Sequence, residues 1–250
     1  MPKLRKGFFP LSSFLIVIAI VLFSVSSCKV DKYDDTLGFE YEYQPLEVGR
    51  YTIYDVDSID YDYLAPNQIA DTIRYQLMEW LTDTFYDNQS RLNYRLELFI
   101  RPDAASPWVF WKVWYCLKTD RTFERQEDDL RFMKLVFPIR NDINWNGNIF
   151  LPVSDTSYLK LYFGWNYIYK NLGLPNTLNG LTFNETVEVS HVNDENLIDK
   201  RMSKEIYAKG VGLIFRQFEK IEKQDVASSW DRPNQATGFR YIKRINSYGP

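Results

Sequence analysis

Apolar and polar residues alternate along much of the chain from residue 46 onward. The segments 50–56, 72–80 and 92–100 alternate in this way and are rich in Tyr, Ile and Leu. Such a pattern predicts strands with one face turned toward a core. The second segment continues to Tyr86, and the polar residues 87–90 then predict a turn. The three segments therefore predict consecutive strands, the last two joined as an antiparallel hairpin.

Further strand-like segments follow at close spacing, at 108–117, 130–137, 181–192, 204–216 and 238–245. We expect the fourth of these to form one or two strands bent at its glycines, whereas 157–171 fits either a pair of strands or one helix. Many short strands joined by Asn, Asp, Gly and Pro favour an antiparallel sandwich or a barrel-like curved sheet. No linker divides 46–250, so the prediction is one all-β domain.

The N-terminus has the layout of a secretory signal. Lys3, Arg5 and Lys6 precede the apolar run 14–23, and small residues follow it. The tetrapeptide Val25-Ser-Ser-Cys28 resembles the lipobox of bacterial lipoproteins. The apolar stretch is short compared with the roughly 20 residues of a stable membrane-spanning helix. An uncleaved membrane helix with an incidental cysteine is the alternative.

The lipobox resemblance implies cleavage before Cys28, lipid on its thiol and anchoring to a membrane. Residues 1–27 would then be the signal peptide, and 28–45 the lipidated cysteine with a flexible tether. The acidic stretch after Cys28 is similar to the surface-export signal of some Bacteroidota lipoproteins. The expected address is the cell envelope, at the outer membrane, with the periplasmic face and the cell surface both open.

A wider resemblance covers most of residues 45–250. The segments 45–51, 134–138, 145–148 and 207–214 are similar, in this order, to a family of Bacteroidota lipoproteins that has no assigned activity. The resemblance implies a β-rich domain behind a lipobox-type signal peptide. It implies no reaction, ligand or partner.

Composition excludes some classes of function. Charged residues make up 25% and apolar residues 45% of the chain, and the formal net charge is −3. These are ordinary globular values, and they give no basic surface for nucleic acid. If lipid occupies Cys28, the second cysteine, Cys116, has no partner within the chain. Its apolar neighbours predict a buried, unreactive thiol.

The chain contains few residues in arrangements that suit catalysis or metal binding. His191 is the only histidine, so a histidine-based triad or zinc site would have to be built around it without a second histidine. The acidic residues Asp55, Asp57, Asp60 and Asp62 lack the spacing of an EF-hand loop, and on a strand Asp55 and Asp57 would face solvent together. We therefore expect no catalytic centre, no metal and no cofactor.

Basic residues near the C-terminus alternate with Glu and apolar residues, which predicts a solvated strand face: Lys220, Lys223, Arg240, Lys243 and Arg244.

Aromatic residues are the remaining functional signal, at 17% of the chain. We take Trp108, Trp111, Trp145 and Trp165 as candidate ligand-binding residues, with core packing as the alternative. The expected function is a non-enzymatic binding or assembly module, attached to the membrane, for a glycan, lipid or protein partner. The alternatives are a carboxylate-dependent hydrolase acting on glycans and a purely structural envelope protein.

Overall fold

A single antiparallel sheet forms the fold, in a computed structural model that describes residues 38–64 and 70–250. The predicted signal peptide and Cys28 lie outside the described residues. The twelve strands are β1 (Tyr51–Asp62), β2 (Asp71–Tyr86), β3 (Leu92–Arg101), β4 (Val109–Lys118), β5 (Thr122–Glu127), β6 (Leu130–Val136), β7 (Asn144–Trp145), β8 (Tyr167–Leu178), β9 (Leu181–Glu195), β10 (Asp199–Ala208), β11 (Gly212–Lys223) and β12 (Ala236–Gly249). Two short 3-10 helices cover Tyr41–Tyr43 and Lys160–Tyr162.

The sheet curls so far that its edges nearly meet. Consecutive strands are neighbours throughout, apart from β6 and β7, which form the two edges, and β1 pairs with β12. Between the edges, the amide of Met133 donates to the carbonyl of Gly147 at 2.8 Å. The indole nitrogen of Trp145 donates to the carbonyl of Met133 at 2.9 Å. The all-β prediction is confirmed, and of its two forms the structure has the barrel-like curved sheet.

One strand was missed by the sequence prediction, and the structure decides two segments that the sequence left open. Strand β5 was not predicted, because five of its six residues are polar or charged. The ambiguous segment 157–171 contains a 3-10 helix and then the start of β8. The segment 204–216 is split between β10 and β11, whose tight turn includes Gly210 at φ +77°. Glycine is favoured there because a side chain would strain a backbone in the left-handed region.

One end of the curved sheet is closed by the residues that lead into β1. Tyr43 is buried, and the hydroxyl of Tyr41 donates to the carbonyl of Asp120 in the β4–β5 turn at 3.0 Å. Lys118 donates to the carbonyl of Gln44 at 3.1 Å. Residues 38–45, which we expected to belong to the tether, therefore lie against the domain. The folded unit begins earlier than residue 46.

The core fills the inside of the sheet. Its main cluster brings together buried residues from both halves of the chain, among them Leu98, Leu135, Val187 and Ile214. The described strands and core clusters belong to one compact unit, which spans residues 38–250. Within it, the structure has no helix of the length and apolarity that crossing a membrane requires.

Candidate ligand-binding cavity

A cavity of about 310 Å³ opens inside the curved sheet at the end opposite the 3-10 helix of residues 41–43. Alternation places the odd-numbered residues of β12 and the even-numbered residues at the start of β1 on the inner face of the sheet. Phe239, Tyr241 and Lys243 therefore follow one another from the mouth inward. Aromatic rings supply much of the wall, from Trp111, Trp114, Phe218, Phe239 and Tyr241.

Beneath the cavity lies a cluster of seven charged side chains from six strands: Glu79, Arg125, Glu127, Lys134, Glu205, Arg216 and Lys243. Three of its members, Glu127, Arg216 and Lys243, reach the cavity wall and form its floor. The cluster therefore gives an otherwise aromatic cavity a charged base.

Two carboxylates organise most of the contacts in this cluster. Glu127 accepts from Nη1 of Arg216 at 2.9 and 3.0 Å and lies 3.1 Å from the ammonium of Lys134. Glu79 Oε1 accepts from Nη2 of Arg125 at 2.6 Å and from Nζ of Lys243 at 2.7 Å. Charge-assisted hydrogen bonds of this kind fix side chains in one geometry. The floor is therefore preorganised.

The same contacts shift the protonation equilibria. Burial acts to raise the pKa of Glu79, but Arg125 and Lys243 outweigh it and lower that pKa to about 2. Against a similar effect of burial, neighbouring cations also hold the pKa values of Glu127 and Glu205 below their ordinary range. Burial lowers the pKa of Lys243 to about 8, because the loss of hydration outweighs its attraction to Glu79. All three carboxylates are thus ionised near neutral pH.

An apolar groove of about 580 Å³ adjoins the cavity, with Ser58 and Trp111 lining both. It runs over the inner face of β2, β3 and β4 near the mouth. Its lining includes Ile73, Ile100 and Val109, and the side chains of Ile73 and Val109 are each 58% exposed. The combined site thus has a charged floor, aromatic walls and an apolar extension.

The four candidate tryptophans occupy different places. Trp111 lines both the cavity and the groove and is 43% exposed. Trp108 is half-buried under the guanidinium of Arg101, whose carbon lies 4.1 Å from the ring centroid. Trp145 and Trp165 are buried in the main core. The structure therefore does not gather the four in one cleft, and it brings Trp114, which was not among the candidates, into the cavity wall.

His191 lies in the interior, packed against the rings of Tyr167 and Trp165 with centroids 4.0 and 5.9 Å away. Its Nδ1 shares a hydrogen bond of 2.9 Å with the hydroxyl of Ser203. Its Nε2 lies 3.6 Å from Glu205, too far for a hydrogen bond. Burial lowers the pKa of His191, although Glu205 opposes this effect. The imidazole is therefore neutral at pH 7.

Two of the acidic residues of β1, Asp55 and Asp57, bond to neighbouring side chains. Asp55 accepts hydrogen bonds from the side-chain amides of Gln76, Asn179 and Asn246 at 2.9 to 3.0 Å. Asp57 pairs with Arg74 and Arg244 at 3.1 and 2.7 Å. In residues 38–64 and 70–250, no three His, Cys, Asp or Glu side chains gather in the way a metal site requires.

The solvated strand face expected near the C-terminus is wrong for Lys223 and Arg240, which are buried at 4% and 8% exposure, and most clearly for Lys243. This residue is 1% exposed and points inward, in the same row as Phe239, Tyr241 and Ile245. The physical reason is that Glu79 on β2 supplies a counter-charge inside the sheet. Lys243 alternates with three apolar residues on the same face of β12, and this pattern could have identified it as a buried residue.

Comparisons with known proteins give little further information. No family model matches the chain, and no curated protein matches it. Among solved structures, one match is a Bacteroides fragilis protein with a YmcC-like fold, described as a proposed exported protein. It is 11% identical, the match covers 81% of this chain and 98% of that chain, and the TM-score is 0.30. A likeness this distant transfers no activity or ligand.

Proposed function

We propose that this chain is a non-enzymatic binding protein of the cell envelope that holds a small molecule in its interior cavity. The supporting observation is the cavity itself, with aromatic walls above an ordered, charged floor and an opening to solvent. Ligand sites in proteins are commonly concave, mostly apolar and equipped with a few fixed polar groups. This combination is present at the mouth of the sheet.

The state of the carboxylates favours binding over hydrolysis. A typical glycoside hydrolase needs one carboxylic acid that stays protonated, with a raised pKa, to protonate the leaving group. In the cluster beneath the cavity, the pKa values of Glu79, Glu127 and Glu205 are all lowered. Each of these carboxylates also lies against at least two cations or donors. They are arranged to remain ionised.

The envelope address rests on the lipobox resemblance at Val25–Cys28. Lipid attachment at Cys28 can be tested by growing cells with a fatty-acid analogue that is detected on a gel. The full chain should incorporate the label, and Cys28→Ala should not, because the thiol is the acceptor. Label retained by Cys28→Ala would refute lipid anchoring at this residue.

Two tryptophans provide a matched pair for testing the cavity. Trp111 is 43% exposed and lines the cavity, whereas Trp80 is 39% exposed and lies on the outer face, with its indole nitrogen donating to Gly49. Saturation-transfer NMR would screen residues 38–250 against small glycans, nucleotides and acyl compounds. We expect at least one class to give signals with the wild type and Trp80→Ala, and signals at least about fivefold weaker with Trp111→Ala, since aromatic contacts contribute to binding.

Two results would contradict the proposal. Equal signals with Trp111→Ala and Trp80→Ala would place binding outside the cavity. Turnover of a glycan that is abolished by substituting Glu79, Glu127 or Glu205 would instead support the hydrolase.

A further inference from the structure

Arg216 is the charged group of the floor that is best placed to meet a ligand. Its side chain retains 14% of its exposure, whereas Lys243 retains 1%. Nη1 is committed to Glu127, but the buried Nε has no hydrogen-bond partner among the described residues. Nε lies 3.6 Å from a carboxylate oxygen of Glu205, too far for a hydrogen bond. A buried donor without an acceptor costs free energy, so the Arg216 guanidinium is short of acceptors, and the exposed part of this side chain favours one that a ligand brings.

The charges of the cluster do not balance. Four cationic side chains face three carboxylates, and neutral His191 does not change the difference. One positive charge is therefore in excess in an interior where unpaired charge is costly. At the rim, Lys112 is already paired with Asp128 at 2.9 Å. A ligand with one negative charge at Arg216 would offset the excess.

The groove requires a different chemistry from the floor. Ile73, Ile100, Val109 and Trp111 contribute an apolar strip, and the neighbouring guanidinium groups are engaged elsewhere. Arg74 bonds to Asp57, and Arg101 bonds to Gln76 and covers Trp108. A sugar would need hydrogen-bond partners along this strip, whereas an alkyl chain gains free energy simply by covering it.

We propose that the cavity and groove bind an anionic amphiphile with a single alkyl chain. The carboxylate or phosphate headgroup accepts hydrogen bonds from Arg216 on the floor, and the chain lies along Ile73, Ile100 and Val109. This inference rests on the proposed function, because it names the ligand class of the same site. It explains why a charged floor and an uncovered apolar groove adjoin.

Equilibrium dialysis of residues 38–250 against dodecanoate, dodecyl phosphate, dodecanol and acetate tests the proposal. All concentrations stay below the micellar range. Either anionic amphiphile should bind at least about tenfold more tightly than dodecanol, because a buried charge-assisted hydrogen bond contributes this much. Acetate, which lacks the chain, should show no binding at the same concentrations. The two anions distinguish a carboxylate from a phosphate headgroup.

Two variants address the two halves of the site. Arg216→Gln should remove the preference for the anions, so that dodecanoate and dodecanol bind within about threefold of each other. Val109→Asp, on an exposed groove position, should weaken dodecanoate at least about tenfold through repulsion and lost apolar contact. Its matched control is Val226→Asp, in the β11–β12 loop, where the valine is 57% exposed and binding should stay unchanged. The groove variant keeps the test decisive if Arg216→Gln does not fold.

If the wild type bound dodecanol and the two anions with equal affinity, the proposed preference for an anionic headgroup would be wrong. Loss of dodecanoate binding by Val226→Asp to the same extent as by Val109→Asp would overturn the groove. Failure of all four probes to bind would also overturn this ligand class. The comparison of Trp111→Ala with Trp80→Ala would then still decide whether the cavity binds another class.

Discussion

The hydroxyl of Tyr169 on β8 bonds to the backbone of Val136 on β6, across the gap between the two edges of the sheet. It donates to the carbonyl oxygen of Val136 and accepts from its amide, with both distances 2.8 Å. A side chain thus supplies both hydrogen bonds that a neighbouring strand would otherwise provide to this residue. Because Tyr169 is fully buried, water has little access to these groups.

Tyr169→Phe should lower the free energy of unfolding by about 1–3 kcal/mol, because the peptide groups of Val136 lose their partner in a buried place. Urea denaturation followed by circular dichroism measures this loss. Tyr158→Phe is the control, since Tyr158 is 85% exposed and should change stability very little. Equal effects of the two substitutions would show that the hydroxyl does not hold the edges together.

Neutralising Glu79, the carboxylate that Arg125 and Lys243 share, should lower the free energy of unfolding more than Tyr169→Phe does. Glu79→Gln leaves Lys243 without its buried counter-charge and Arg125 with only Glu127, 3.5 Å away, and should reduce the free energy of unfolding by about 3–5 kcal/mol. Lys243→Met should cost less than about half as much, because it removes one of the cations that are in excess and leaves the pair of Glu79 and Arg125 intact. A larger loss for Lys243→Met would contradict the charge imbalance described for the cluster.

Stability should fall in acid as the buried carboxylates are protonated. The pKa of Glu79 is about 2 in the folded chain, against an ordinary 4.5 when unfolded, so the unfolded state binds the proton first. The resulting stabilisation is present above pH 4.5 and is lost as the pH falls toward 2. For Glu79 alone it amounts to roughly 3 kcal/mol. Urea midpoints measured from pH 6 to pH 3 should therefore fall steadily, and a flat profile would refute this linkage.

His191 should add a separate pH dependence in a milder range. Its pKa in the folded chain is lowered from 6.5, so below that pH the unfolded state binds a proton that the folded state does not. Stability is then lost as the pH falls below 6.5. His191→Asn should show a smaller decrease than the wild type between pH 7 and pH 5. An identical decrease in both proteins would assign it to other groups.

Cys116 should be unreactive while the domain is folded. Its side chain is 3% exposed, and burial raises the pKa of the thiol to about 12, so the reactive thiolate is scarce at pH 8. In residues 38–250 it is the only cysteine. Iodoacetamide at pH 8 should label it in 8 M urea and leave it unlabelled in buffer. Rapid labelling in buffer would show that the core around β4 opens easily.

Alternation in the sequence was sufficient to predict most of the strands. It identified β1, β2, β3 and β4 because their inward positions are largely apolar. It failed at β5, where Arg125 and Glu127 are buried and only Phe123 is apolar among the inner residues. A period of two shows which residues share a face, but a charged residue on that face is normally expected outside.

The cavity was harder to predict than the strands, because its charges come from strands far apart in the chain. Lys243 and Glu79 are 164 positions apart, and neither is paired with a residue near it in sequence. The sequence did contain a local sign that Glu79 points inward, since it alternates with the buried residues Leu77 and Leu81 along β2. Recognising the pair required knowing that β2, β1 and β12 are neighbours. Only the pairing of the first strand with the last reveals this order.

The pairing of the first strand with the last has a practical consequence for presenting the protein. Tyr51 and Gly249 face each other across β1 and β12, whereas Phe239 lies at the mouth, ten residues or roughly 30 Å along the last strand. A tag on the C-terminus therefore emerges at the closed end. Coupling the protein to a sensor chip through that tag would orient every molecule with its entrance toward the flowing analyte.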